Sequence, residues 1–134
     1  MDAEQLRIEE DLRGQIEGDV HCDDLFTQMY ASDASIFELP PLGVVRPRSK
    51  EDVAAVVRYA SSRGIPLFAR GAGSGLAGDS LGRGLVIDFS RHMRRIAAID
   101  DDAVTVQPGV VLGPLNERLR KVGRQFGPDP AAEQ

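Results

Sequence analysis

The sequence has few residues that could build a covalent or metal-based framework. Its 134 residues include one cysteine, two histidines and no tryptophan. Cys22 has neither a disulfide partner nor a C-x-x-C neighbour, and His21 and His92 match no metal-ligand spacing. These absences exclude a disulfide scaffold and argue against a metal centre. We expect Cys22 to be an ordinary helix residue and His92 to be solvated in a basic turn.

Long hydrophobic runs are also missing. No stretch approaches the roughly 18 apolar residues that a membrane-spanning helix requires. The first fifteen residues are polar and acidic, which is not the pattern of a secretory signal. With 42% apolar residues the chain can form one ordinary domain with a core, and the expected location is cytoplasmic.

Positive charge is scarce in the first part of the chain. Residues 1–40 carry eleven acids and two arginines, a balance of −9, whereas residues 41–134 carry ten acids and fourteen bases, a balance of +4. A balance of +4 over that length is far from a nucleic-acid-binding stripe, so no nucleic-acid partner is predicted. It is compatible with a small anionic ligand.

The chain divides into two parts at the proline-rich connector 37–43. Residues 1–40 are predicted to form a peripheral helical extension, because Ile8, Leu12 and Ile16 recur every four residues and a second short helix follows near Met29. The predicted second part, residues 41–134, has a different rhythm of short apolar runs separated by turns.

A strand–helix–strand unit opens the second part. Residues 43–47 and 66–70 are short apolar runs that predict strands, and residues 49–64 between them predict an amphipathic helix. Ser49 is a suitable N-cap with Asp52 in the capping-box position, and Gly64 suits the end of the helix. We expect Val53, Val56, Val57 and Ala60 to form its buried stripe. The two strands are predicted to run parallel.

The remaining elements are a strand, a hairpin and a helix. Residues 84–89 predict a strand followed by the basic turn 90–95, and residues 96–100 and 103–109 predict a hairpin. The last helix is predicted to begin near Pro114 and to stop at Gly123.

Four glycines stand close together between the strands at 66–70 and 84–89, in the sequence RGAGSGLAGDS. Such spacing lets successive N–H groups form an anion-binding nest. A Walker A loop is excluded, because Asp79 stands where the lysine would follow Gly78. A Rossmann fingerprint is formally present, with Asp88 as its acid, but five residues between Gly78 and Gly84 leave no room for the required helix. The pattern therefore favours a phosphate cradle built from a loop between two strands.

Several ordered motifs resemble the flavin-binding domain of the vanillyl-alcohol-oxidase-type (PCMH-type) FAD oxidoreductases. They are PLGVVRPRSKEDVAAVVRYASSRGIPLFARGAGSGLAG, LVIDFSRHMRRI, VTVQPGVVLGPLNERL and FGPDPA, spread over about residues 37 to 132. The resemblance is greatest to the D-lactate, glycolate and D-2-hydroxyglutarate dehydrogenase group. It implies an α+β (α/β) fold, a small β-α-β sheet of the FAD-binding subdomain with extra strands and the N-terminal helical extension.

The resemblance also implies a set of cofactor-binding residues. Backbone N–H groups of the glycine loop and the Ser74 hydroxyl would bind the FAD pyrophosphate, with Arg70 at the entrance of the loop. Two later turns would approach the flavin. The implied set is Arg70, Gly71, Ala72, Gly73, Ser74, Gly75, Leu76, Pro108, Gly109, Asp129 and Pro130. Ser74 stands in the region where some family members attach flavin to a histidine, so non-covalent FAD is expected.

For the intact parent the resemblance implies oxidation of a small 2-hydroxy acid by hydride transfer to flavin N5. It also implies an iron–sulfur cluster in a C-terminal region that this chain does not contain, and a parent at the inner face of the membrane. The second flavin subdomain would follow the motif PDPA, so the chain is expected to be an N-terminal fragment without catalytic residues. We expect it to bind FAD weakly and to show no turnover.

Two other functions are compatible with the same residues. One is a non-catalytic nucleotide- or phosphate-binding module that uses the glycine nest without redox chemistry. The other is an interaction domain that forms homo-oligomers through an exposed part of its core.

Overall fold

The computed structural model describes residues 1–128 and residue 130. Four helices are present in this part of the chain, α1 (Ala3–Arg13), α2 (Asp24–Met29), α3 (Lys50–Arg63) and α4 (Leu112–Arg120). The described residues also form six strands, β1 (Asp19–His21), β2 (Gly43–Arg46), β3 (Leu67–Arg70), β4 (Leu85–Asp88), β5 (Ile96–Ile99) and β6 (Val104–Val106).

The main sheet has four strands in the order β1-β2-β4-β3. Strands β2 and β3 both run parallel to β4, with Val44 opposite Val86 and Ala69 opposite Ile87. The predicted parallel relation of β2 and β3 is therefore confirmed, but β4 lies between them. Strand β1 pairs antiparallel with the free edge of β2.

Alternate residues of the two central strands enter cores on opposite faces of the sheet. Val45, Leu85 and Ile87 pack with residues of α1 and α3, including Ile8, Leu12, Val56 and Tyr59. Val44 and Val86 pack on the other face with Tyr30 and the partly buried Phe26 and Phe68. Because both faces are covered, the central strands are almost continuously apolar.

The N-terminal region differs from its predicted purely helical form. Residues 19–21 form β1, and Cys22 is not in a helix but follows this strand, fully buried. Helix α1 ends at Arg13, with Gly14 as its C-cap, so Ile16 lies beyond it. Residues before position 41 therefore share one sheet and one core with the later residues. The boundary between two parts at residue 41 stays a prediction.

Helix α3 forms where the local sequence predicts it. Ser49 accepts a hydrogen bond from the Asp52 N–H at 3.2 Å, and Gly64 closes the helix with a φ of +66°. The buried stripe is shifted from the predicted one, because Tyr59 is buried and Val57 is 43% exposed. The Asp52 carboxylate does not complete a capping box but accepts from the Arg48 and Glu17 N–H groups.

The predicted hairpin is confirmed as the antiparallel pair β5–β6, closed by the Asp100 N–H donating to the Ala103 carbonyl at 2.8 Å. Helix α4 follows it and begins at Leu112, two residues before the predicted start. Pro114 falls in the first turn, where an N–H has no intrahelical acceptor, and Gly123 follows the helix with a φ of +71°.

Candidate functional site

The glycine loop, residues 71–80, leaves the carboxyl end of β3 and returns to β4. Its backbone has positive φ at Gly73 (+69°) and Gly78 (+76°), where glycine avoids the steric cost of a side chain. In the described part of the chain every residue with positive φ is a glycine, so Ala72 has an ordinary backbone conformation. A left-handed residue beside ordinary ones, as at Gly73, is compatible with the backbone of an anion-binding nest.

The N–H groups of the glycine loop make no hydrogen bond to the described residues of the chain. Among the described residues, no acceptor within the chain receives a hydrogen bond from the N–H of positions 71–77. Six of these seven residues are exposed, so their N–H groups are available as donors. The loop is therefore built to donate hydrogen bonds to water or to an external acceptor.

A cleft of about 450 Å³ lies beside the first half of the glycine loop. Three segments that are distant in sequence form its walls. They contribute Gly71, Ala72, Ser74, Ser90, Arg94, Pro108, Gly109, Val110, Val111 and Leu112. The structure thus brings together five of the residues predicted to bind the cofactor, namely Gly71, Ala72, Ser74, Pro108 and Gly109.

Gly109 explains why the second turn can lie so close to the end of β4. Its N–H donates to the Met93 carbonyl at 2.8 Å, and the residue is buried. A Cβ at this position would lie 2.1 Å from the Phe89 carbonyl oxygen, well inside van der Waals contact. Glycine is required here by the close approach of two backbones, and this approach places Pro108 at the cleft.

Ser90 is held at the cleft by Asp88, the last residue of β4. One carboxylate oxygen of Asp88 accepts from both the Ser90 N–H at 2.8 Å and the Ser90 hydroxyl at 2.6 Å. The other oxygen accepts from the Tyr30 hydroxyl at 2.5 Å and lies 3.5 Å from Arg46 Nε. Burial, together with the hydrogen bond to Asp88, raises the pKa of Tyr30. Asp88 thus forms the turn after β4, and both of its carboxylate oxygens accept hydrogen bonds.

Positive electrostatic potential at the cleft comes from Arg94 and from the start of α4. Arg94 lines the cleft and is exposed. The N-cap of α4 is Val111, which makes no side-chain capping bond, so first-turn N–H groups and the positive end of the helix dipole remain available. Neither Ser90 nor Arg94 belongs to the predicted site. The basic turn 90–95 is visible in the sequence, but which of its residues face the glycine loop depends on the tertiary fold.

Other predicted site residues lie outside the cleft lining. Arg70 is half-buried, and its guanidinium donates to the backbone carbonyls of Tyr30 and Ser32. Leu76 is 80% exposed, and Gly75 has open space around its Cα. Pro130 is exposed. Asp129 is outside the described residues.

The residues that could suggest metal or thiol chemistry, His92 and Cys22, are a hydrogen-bonded and a buried side chain respectively. His92 is not fully solvated as predicted, since its Nε2 lies 2.8 Å from the Asp19 carboxylate and its side chain is 22% exposed. Burial raises the pKa of the Cys22 thiol to about 12, which leaves it protonated and unreactive. Within residues 1–128 and 130, no group of three or more potential ligands could hold a metal ion.

The fold can be compared with that of solved flavoenzymes. The chain superposes on 4-ethylphenol oxidase from Gulosibacter chungangensis with a TM-score of 0.73 and 28% identity, over 92% of this chain and 26% of the oxidase. The α/β arrangement described above is thus that of the FAD-binding subdomain in the PCMH-type oxidoreductases.

The sequence identifies the family within that class. The family described as FAD binding domain matches residues 41–134, and the chain belongs to this family. The match confirms the relationship that the sequence motifs indicate.

Curated relatives carry dehydrogenase names. The chain is 38% identical over 104 residues to the D-2-hydroxyglutarate dehydrogenase of Escherichia coli (strain K12), covering 74% of this chain and 10% of that enzyme. It is 32% identical over 114 residues to the D-lactate dehydrogenase of Archaeoglobus fulgidus, covering 76% of this chain and 26% of that enzyme. The chain thus spans between a tenth and about a quarter of the length of these relatives. None of its described helices is long and apolar enough to cross a membrane.

Proposed function

We propose that the cleft beside the glycine loop binds the pyrophosphate of FAD, and that the chain is the pyrophosphate-binding part of a flavin-dependent oxidoreductase. The observation that carries the proposal is a glycine loop whose N–H groups at positions 71–77 have no partner among the described residues, and which contributes Gly71, Ala72 and Ser74 to the wall of a 450 Å³ cleft. Membership of the FAD binding domain family supports the choice of ligand.

The chemistry of the cleft fits a doubly charged diphosphate. Backbone N–H groups and the Ser74 and Ser90 hydroxyls supply neutral donors, while Arg94 supplies a full positive charge. The N-terminus of α4 adds a partial positive charge. Among its described lining residues the cleft has no carboxylate that would repel the ligand.

The proposed attachment is non-covalent. The glycine loop contains no histidine. Ser74 lines the cleft in the region where some proteins of the resembled family attach flavin to a histidine. Its hydroxyl can hydrogen-bond a phosphate oxygen but is not a nucleophile toward flavin in this setting.

For the whole protein we propose a dehydrogenase or oxidase acting on a small 2-hydroxy acid. The names of the D-2-hydroxyglutarate and D-lactate dehydrogenases to which the chain is similar support this substrate class. FAD, when bound, supplies a two-electron acceptor, and the residues of this chain bind and orient its phosphate end. We assign no catalytic residue to the chain. An iron–sulfur cluster and a location at the inner face of the membrane rest on the resemblance alone and stay predictions.

Ligand titration tests the proposal. FAD, ADP and riboflavin are titrated separately into the 134-residue chain by calorimetry. We expect FAD to bind, ADP to bind more weakly, and riboflavin, which lacks the pyrophosphate, to give no measurable heat. Affinity for FAD is expected to be modest, and the purified chain to be nearly colourless, because most of the flavin ring would extend beyond the cleft. The apolar lining residues Val110, Val111 and Leu112 would contact enough of the flavin side to favour FAD over ADP.

A matched pair of arginine variants locates the site. Arg94→Ala removes the charge on the cleft wall, whereas Arg91→Ala removes one from an exposed residue of the same turn that does not line the cleft. Loss of a charge-assisted contact is expected to weaken FAD binding about tenfold in the first variant only. Equal effects of both variants would contradict the site. Equal affinity for FAD and ADP would favour a non-redox nucleotide module, and association seen by light scattering without FAD would favour an interaction domain.

A further inference from the structure

The glycine loop has a second set of contacts, made by residues 30–35, which we call the supporting segment. This segment lies between α2 and β2. The Ala34 N–H donates to the Gly73 carbonyl at 3.0 Å, and the Ser80 hydroxyl donates to the Asp33 carboxylate at 3.0 Å. No residue of the supporting segment lines the cleft. The glycine loop therefore lines the cleft with Gly71, Ala72 and Ser74 and contacts the supporting segment through Gly73 and Ser80.

Arg70 joins the supporting segment to the base of the loop. Its Nη2 donates to the Ser32 carbonyl at 2.9 Å, and its guanidinium carbon lies 5.0 Å from the centre of the Tyr30 ring. A Cβ added to Gly73 would lie 2.6 Å from Arg70 Nη2. The Arg70 guanidinium therefore packs against Gly73, the left-handed residue of the loop, and occupies the space that a side chain at this position would need.

The supporting segment is itself fixed to the sheet. The Tyr30 hydroxyl donates to Asp88 at 2.5 Å and accepts from Arg46 Nη2 at 2.8 Å. Asp33 is oriented locally, because its other carboxylate oxygen accepts from the Ser35 N–H at 2.8 Å. Hydrogen bonds thus fix the supporting segment to the sheet at Tyr30 and to the glycine loop at Asp33 and Ala34, and the backbone of the segment connects the two ends.

We propose that the supporting segment, chiefly Tyr30, Asp33 and Ala34, positions the glycine loop in its anion-binding conformation. These residues precede residue 41, where the match to the FAD binding domain family begins. They are positioning residues, since they act through the loop and do not line the cleft. The identity of the ligand rests on the proposed function, whereas the claim that the supporting segment holds the glycine loop in place does not.

The negative charge of Asp33 lets the direction of the change in anion affinity test the proposal. A carboxylate close to an anion site repels the ligand, so its removal favours anion binding if electrostatics alone acts. If Asp33 holds the loop in place, its removal weakens binding in spite of the lost repulsion. Asp79 is the matched control. It belongs to the same loop and carries the same charge, and it is exposed, with no hydrogen bond within the described residues.

The experiment compares Asp33→Ala, Ser80→Ala and Asp79→Ala in the complete 134-residue chain. The exchange protection of the Ala34 and Leu81 amides, which donate to the Gly73 and Gly78 carbonyls, is measured without ligand. The affinities for FAD and for inorganic pyrophosphate are measured by calorimetry. We expect several-fold faster exchange of these two amides and about tenfold weaker binding of both probes in Asp33→Ala. Ser80→Ala is expected to change both quantities in the same direction by a smaller factor, and Ser80→Thr to restore them.

The control variant separates the outcomes. Asp79→Ala is expected to leave exchange unchanged and binding unchanged or tighter. The inference is overturned if Asp33→Ala and Ser80→Ala leave the exchange of the Ala34 and Leu81 amides at the Asp79→Ala value, or if Asp33→Ala tightens binding as much as Asp79→Ala does. If the unmodified chain binds neither probe, the proposed function fails, while the exchange comparison still decides the structural role of the supporting segment. Ser80→Ala removes a single hydroxyl and serves as the readout should Asp33→Ala not fold.

Discussion

The main sheet and the glycine loop are adjacent in sequence but are held in place by different means. Val44, Val45, Leu85 and Val86 are fully buried, and their strands pair in a regular ladder. The glycine loop is largely exposed, and the N–H groups of its first seven residues have no partner in the described chain. In the sheet, burial supplies stability, while the loop keeps its donors available for a ligand. Substitutions should therefore change stability in the one and binding in the other.

The largest expected effect tests the sheet. Leu85→Ala removes a fully buried side chain that packs between α1, α3 and β2. Lost burial and the cavity left behind are expected to lower the free energy of unfolding by about 2–5 kcal/mol. Urea unfolding followed by circular dichroism measures the change. Leu76→Ala, in the loop and 80% exposed, is expected to change it by less than about 0.5 kcal/mol. Similar losses in both variants would contradict the comparison.

Local sequence is sufficient to predict where an element begins and ends when its capping residues lie within a few positions of those ends. Helix α3 is predicted to within a residue, because Ser49 and Gly64 bond or bend the backbone within a few positions of themselves. Its buried face is less predictable. Tyr59 is buried because its ring packs against α1 and its hydroxyl donates to Asp11, 48 residues earlier. No periodicity within α3 contains that information.

Long-range pairing explains the other differences. Strand β1 has only three residues, and it is a strand because the edge of β2 offers a partner. Likewise, β4 lies between β2 and β3, an order that no spacing along the chain determines. At the site, the glycine loop is evident from its composition. Ser90 joins it through its hydrogen bonds to Asp88, and Arg94 through the turn that follows β4, so the sequence alone does not single them out.

A buried charge network at the boundary between sheet and site gives the second prediction. Asp88→Asn leaves one of the two carboxylate positions unable to accept and deprives Arg46 of its charged partner. We expect a loss of about 2–3 kcal/mol in the free energy of unfolding. The pKa of Tyr30 should fall toward its usual value, because the Asp88 hydrogen bond helps to raise it. Chemical unfolding and ultraviolet titration of the tyrosines measure the two effects.

Asp102→Asn is the control for this network, because Asp102 is exposed in the hairpin turn. It is expected to change neither quantity. A stable Asp88→Asn variant with an unchanged tyrosine titration would show that the network does not connect sheet and site.

Alanine substitutions at two glycines compare the tightly packed turn at Gly109 with the open glycine loop at Gly75. At Gly109 a Cβ would meet the Phe89 carbonyl at 2.1 Å, whereas at Gly75 nothing lies within 4 Å and φ is not positive. Gly109→Ala is expected to cost about 1–2 kcal/mol, since the turn must shift away from β4. Gly75→Ala is expected to be neutral or to stabilise by up to about 1 kcal/mol through the unfolded chain. Thermal unfolding tests both, and a larger loss at Gly75 would contradict the open conformation of the loop.

The smallest expected effect concerns the surface contact between β1 and the basic turn. The hydrogen bond from His92 holds the pKa of Asp19 below its ordinary value. A lowered pKa means that Asp19 contributes stability above the unfolded-state pKa of about 3.9, and that this contribution is lost as the pH falls through the folded-state value. Because the pair is partly exposed, we expect Asp19→Asn to cost about 0.5 kcal/mol at pH 6. In urea unfolding, the difference from the unmodified chain should shrink toward zero as the pH is lowered below 4. A difference that stays constant or grows on acidification would exclude the ionised Asp19 carboxylate as its source, and would leave β1 fixed to the sheet by its backbone ladder alone.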